Sequence, residues 1–179
     1  DAAAEQYLTV YEKLNTQKNI RPVMVHAQML RQDQMPRLKK IGMIPSFFIA
    51  HVYQWGDTHI KNLGFKRASQ ISPANTATKN EILFTFHQDS PVIEPNMLET
   101  VWCAVNRKTK DGVTLGENQK ISVINALKAI TINAAYQYFE ENIKGSIEVG
   151  KQADFVILND NPLKVEDDKI KDILVLETI

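Results

Sequence analysis

Three short apolar runs, RPVMVHAQ (21–28), MIPSFFIAH (43–51) and ILFTFHQD (82–89), are separated or followed by stretches with helical spacing. Alternation of this kind builds a parallel sheet, because a strand reaches a parallel neighbour only through a crossover. Right-handed crossovers place the helices on one face of a barrel or on both faces of an open sheet. A complete (β/α)8 barrel takes about 250 residues and eight strands, more than a chain of 179 residues supplies. Five helices are predicted: 1–15, 33–42, 59–69, 97–107 and 122–140. Asp1, Asp33 and Ser122 are the expected caps, Pro36 falls in a first turn, and Gly42 lies just past a helix end. In the first helix Ala4, Leu8 and Tyr11 share the apolar face, while VYQWGDTH (52–59) reads as a loop. From Gly145 onward the pattern changes. GSIEVGKQADFVILNDNPL and IKDILVLETI read as short strands punctuated by Gly, Asn and Pro.

Composition narrows the classes. Apolar residues make up 44% and charged residues 23%, the balance of a packed globular domain rather than a disordered one. Lys plus Arg and Asp plus Glu are both 21, so the chain lacks the basic excess of a phosphate-tracking nucleic-acid binder. No apolar run reaches the roughly 18 residues of a membrane span, and DAAAEQYLTVYEKLN lacks the basic-then-apolar pattern of a signal peptide. The single cysteine, Cys103, excludes a disulfide framework and a Cys-based zinc site. It fits a reducing compartment, and the expected location is cytoplasmic.

The polar residues on the strands carry the chemistry. Alternation along the third strand puts Ile82, Phe84 and Phe86 on one face and Leu83, Thr85, His87 and Asp89 on the other. The second set turns polar toward the C-terminal end, where α/β enzymes place their catalytic groups. The first two strands also end in imidazoles, His26 (with Gln28) and His51. Two imidazoles and a carboxylate at one rim would suit zinc or another divalent transition metal. Each residue also has an ordinary structural reading: a hydrogen-bonded strand-end histidine, or an aspartate making the turn before Ser90-Pro91. Periodicity leaves both open. Phe48, Tyr53 and Trp55 read as core or as a substrate wall, and Cys103 as a small packed side chain.

KGSIEVGKQADFVILNDNPL resembles the C-terminal signature of the amidohydrolase superfamily, through Gly145, Gly150, Lys151, Ala153 and Asp154. ISVINALKAITINAAYQYFEE resembles the helix before that signature, with Thr131, Asn133, Ala134 and Ala135 in place. HQDSPV is similar to the family's eighth-strand segment and VHAQ to its sixth, although Val25 stands where many members have Glu. The best match is the third amidohydrolase family, of exoenzyme-regulatory type. This resemblance implies a partial (β/α)8 TIM-type barrel, about the last three βα units (1–140), followed by part of a small β-domain (141–179). It further implies a C-terminal piece of a larger enzyme that begins after the fifth-strand histidine and stops before the closing strands of the small domain. His26 and Asp89 would be metal ligands for a divalent cation, zinc above all, with Asp89 also the proton-transfer base. His51, Tyr53, Trp55 and His87 would contact a small-molecule substrate. The implied reaction is hydrolysis of an amide or other C–N bond by activated water, with ester cleavage and isomerisation also known in the superfamily. Two partners are expected: further copies of the chain, or the missing N-terminal half of the barrel. The alternative is a non-catalytic α/β folding or association domain.

Overall fold

The computed structural model describes residues 1–14 and 20–179. A parallel sheet lies at the centre, with β1 (Val23–His26), β2 (Ile44–Phe47) and β3 (Thr85–Phe86) in spatial order β1-β2-β3. Val23 pairs with Ile44 and His26 with Phe47, while Ser46 and Phe47 pair with Thr85 and Phe86. Every residue of β2 is buried, as expected of a central parallel strand covered on both faces. Ile82, Phe84 and Phe86 are all buried, in keeping with the alternation expected there.

Helices follow the strands. α1 (Ala2–Leu14) buries Leu8, with Ala4 and Tyr11 against the same core. Asp1 accepts a hydrogen bond from the backbone of Ala2, and the predicted last residue, Asn15, lies outside the described residues. α2 (Met35–Ile41) ends at Gly42, whose φ of 65° lets its N–H return to the Leu38 and Lys39 carbonyls. Its N-cap position is held by Gln34, not by Asp33. Asp33 instead takes the guanidinium of Arg31 at 2.9 Å, since a bidentate fork competes well for a short carboxylate.

The largest correction concerns α3 (His51–Leu63): the second strand stops at Phe47, and residues 52–58 are helical. Gly56 and the mixture of aromatic and polar residues disguise that helix in the sequence. A Cβ on Gly56 would lie 2.6 Å from Thr109 Cγ2, so glycine is required for α3 to approach that loop. Gly64 divides α3 from α4 (Phe65–Ala68), and α5 (Ala74–Lys79) follows. α6 (Met97–Asn106) ends at Arg107, which adopts a left-handed φ of 52°. The predicted helix 122–140 is two helices, α7 (Val123–Ile130) and α8 (Ile132–Gln137), broken at Thr131. There the Thr131 hydroxyl donates back to the Leu127 carbonyl, a local bond that competes with the helical ladder. Ser122 caps α7 as expected, accepting from the Asn125 N–H.

Buried Arg107 joins the loops around this core. Its guanidinium donates to the carbonyls of Leu115, Ser72 and Ile71 at 2.7, 3.2 and 2.8 Å. Burial pushes its pKa down to about 10, still well above neutrality. Beyond Gly145, β4 (Val156–Leu158) and β5 (Val175–Thr178) make a separate two-stranded antiparallel sheet. Among the described residues no helix is long and apolar enough to cross a membrane.

Candidate active site

β1 ends at His26, where the backbone turns into the left-handed region, with φ of 63° there and 44° at Ala27. This turn carries the imidazole over the end of the sheet. From β3 the chain continues through His87, whose N–H still donates to the Phe47 carbonyl, to Asp89 at φ 54°. Between them Gln88 is buried, accepting from the Asn96 N–H at 2.6 Å and donating to Thr100 Oγ1 at 2.8 Å. Gln88 thus ties the segment bearing Asp89 to the start of α6.

Two polar groups result. In the first, Asp89 Oδ2 lies 3.8 Å from His26 Nε2, and both side chains are reachable, at 43% (His26) and 47% (Asp89) exposure. On its far side His26 Nδ1 meets His87 Nε2 at 3.2 Å, and His87 Nδ1 meets buried Ser46 Oγ at 3.0 Å. If Nε2 of His26 is the nitrogen left open toward Asp89, Nδ1 carries the proton and points it at His87. In the second group, His51 Nδ1 and His59 Nε2 are 3.3 Å apart, and the Gln28 amide lies 3.3 and 3.0 Å from them. Phe48 forms the floor beneath both, with its ring centroid 4.7 Å from His51, 5.5 Å from His87 and 6.1 Å from His26. Trp55 stacks against His51 at 4.6 Å. Burial lowers the pKa of His87 and His59, and burial with the neighbouring rings takes His51 down to about 4. These three rings are therefore neutral near pH 7.

All four histidines of the sequence are accordingly gathered at the C-terminal rim of one parallel sheet. A sequence profile described as "Amidohydrolase family" matches residues 1–179. The chain belongs to the amidohydrolase family. Its place there is the third amidohydrolase family of the superfamily. It is 24% identical to an N-substituted formamide deformylase of Arthrobacter pascens, over 99% of this chain and 33% of that one. It is 32% identical to Protein LONG AFTER FAR-RED 3 of Arabidopsis thaliana, over 90% of this chain and 28% of the other. An uncharacterized metal-dependent hydrolase from Pyrococcus horikoshii OT3 superposes with a TM-score of 0.78 at 26% identity, covering 93% of this chain and 34% of its own. The chain thus spans about a third of the length of these relatives.

At this rim His26, Asp89 and His87 lie together, and His51 and Trp55 line the adjoining wall. Tyr53 does not join them. Its ring packs edge-on against Trp102 of α6 at 5.2 Å, with Lys110 and Lys171 beside it. The reason is helical geometry: two positions along α3 rotate a side chain about 200° away from His51, whereas positions four and eight further on return to the same side. Those positions are Trp55 and His59. Sequence reasoning alone does not single out His59, and a helix starting at His51 is the signal that reveals it.

As a cation site, His26 and Asp89 fit part of a ligand set. Two donors on one tetrahedral ion lie roughly 3.4 Å apart, close to the 3.8 Å between these atoms. Imidazole and carboxylate are borderline-to-hard donors suited to divalent transition metals. Among the described residues no three His, Cys, Asp or Glu side chains come together as one ligand set.

Proposed function

We propose that this chain carries the C-terminal share of the active site of a metal-dependent hydrolase acting on C–N bonds other than peptide bonds. The observation that carries this reading is the convergence of His26 Nε2, at the end of β1, and Asp89 Oδ2, just beyond β3, at the open end of the sheet. In this reading β1, β2 and β3 are the last three strands of a (β/α)8 barrel, residues 1–140 belong to it, and 141–179 to a small β-domain. The remaining strands and cation ligands come from the rest of a longer protein.

His26 and Asp89 would hold the cation. When bound, a divalent ion such as zinc supplies Lewis acidity and brings the pKa of water toward neutrality. Asp89 accepts the proton of the attacking water on its carboxylate and returns it to the departing nitrogen. His87 holds the His26 ring by its Nδ1 side, and Ser46 holds His87, so the ring turns through neither nitrogen freely. Phe48 and Trp55 supply an apolar wall that keeps bulk water from the reacting carbonyl. Small amides are the substrate class. N-substituted formamides come first in a panel, because the Arthrobacter relative bears that name.

Asp89→Asn in the full-length protein is expected to lower kcat about 10²–10⁴-fold, the usual worth of a positioned base. Turnover of the amide panel measures it, and undiminished turnover removes Asp89 from this role. The 179-residue chain alone should show no turnover, since hydrolytic zinc sites use three protein ligands and only two converge here. Turnover by the chain alone that Asp89→Asn abolishes would show that the smaller site suffices.

A further inference from the structure

The second polar group at the rim has no part in the chemistry just described, and its geometry is specific. His51 Nδ1, His59 Nε2 and the Gln28 amide nitrogen form a near-equilateral triangle with sides of 3.3, 3.0 and 3.3 Å. We propose that His51, His59 and Gln28 form a second divalent transition-metal site, distinct from the His26–Asp89 pair, with two imidazole nitrogens and the amide oxygen as donors and a water or substrate atom as the fourth.

Proton accounting leads to this assignment. The amide NH₂ has two hydrogens, one for each ring nitrogen it faces. In the tautomers that accept both amide hydrogens, the two ring nitrogens turn lone pairs into the same small space and carry their own protons on the outer side. A cation in place of the amide hydrogens would take both lone pairs at once, from nitrogens 3.3 Å apart. A half-turn of the Gln28 amide exchanges nitrogen for oxygen at the third corner without moving the rest of the side chain. Donors on a tetrahedral ion stand roughly 3.4 Å apart, so the triangle needs to open by only a few tenths of an ångström.

The scaffold holds the donors in place. His51 and His59 sit two turns apart on one side of α3, and His51 is wedged between Phe48 and Trp55. Gln28 follows the β1 turn, and its own carbonyl accepts from the Ser72 N–H at 2.8 Å. All three residues are half-buried, so an ion can enter from solvent. An anion would need protonated rings, and burial keeps both neutral near pH 7. Two imidazoles favour zinc, nickel or copper, and a single oxygen donor is too few for calcium or magnesium. The His26 and His51 ring centroids are 6.5 Å apart. The two sites are thus neighbours that share no donor atom.

The test is zinc content by mass spectrometry after chelation, Zn²⁺ titration and dialysis of the full-length protein. The expected result is one equivalent lost in His59→Ala, restored by His59→Cys, and bound at least tenfold more tightly in Gln28→Glu. Asp89→Asn should keep this equivalent, which separates the proposal from the hydrolytic reading. Unchanged zinc stoichiometry and affinity in His59→Ala overturns it, as does an Asp89→Asn protein that binds no zinc at all.

Discussion

β2 and β5 are both four-residue strands with apolar content, IPSF and VLET, yet all of β2 is buried and all of β5 is exposed. The difference lies in the cover each strand receives. β2 lies between two parallel neighbours, under helices whose buried residues include Leu8, Leu38, Val52 and Val101. Among the described residues β4 and β5 pair only with each other, and Ile157, Val175 and Leu176 keep 43–63% exposure. Burial in this chain is conferred by helical cover rather than by strand composition, and exposed apolar strands are surfaces that other structure can occupy.

The sharpest contrast should come from truncating the centre. Phe47→Ala removes a fully buried ring and is expected to cost about 4 kcal/mol, read by urea unfolding. A loss below about 1 kcal/mol would mean that the sheet is not the stabilising centre. Arg107→Ala should cost about 3 kcal/mol, because it strands three buried carbonyl acceptors in the same block. Arg107→Lys should recover only part of this, since an ammonium lacks the planar fork.

A smaller effect tests the junction between sheet and tail. Arg21, just before β1, makes a bidentate pair with Glu141 at 2.6 and 2.8 Å and lies over the rings of Tyr136 and Phe139. The hydrogen-bonded guanidinium lowers the Glu141 carboxyl from 4.5 to about 2. A depressed carboxylate pKa means a contribution that is present above pH 4.5 and lost as pH falls toward 2. Stability measured between pH 6 and pH 2 should therefore fall more steeply in the native chain than in Arg21→Ala, and parallel curves would assign the pair no role. The smallest effect belongs to the tail: Leu176→Ala should change stability by less than about 0.5 kcal/mol. A loss above about 1 kcal/mol would show that something covers β5 in solution.

Legibility in the sequence follows the same division. The strand–helix alternation, the burial of Ile82, Phe84 and Phe86, the Gly42 stop and the Ser122 cap all rest on local rules, and local rules show in a sequence. The start of α3 did not show, because Gly56 answers to a loop about fifty residues away. Losing that start hid His59 and misplaced Tyr53, since facing depends on where a helix begins. The break at Thr131 and the diversion of Asp33 to Arg31 each turn on one side-chain hydrogen bond winning a local competition. At the rim, His26 and Asp89 were readable as strand-end polar residues. Gln88, which anchors the segment bearing Asp89 from inside, was not.

The left-handed backbone at His26, Ala27 and Asp89 sets folding and chemistry against each other. Each such residue carries about 1 kcal/mol that glycine would relieve. A laboratory lineage selected only for thermal endurance should therefore drift toward glycine at 26 and 89, gaining robustness while erasing the His26–Asp89 pair proposed to hold the cation. Where those side chains persist in a lineage, something other than robustness has been holding them there.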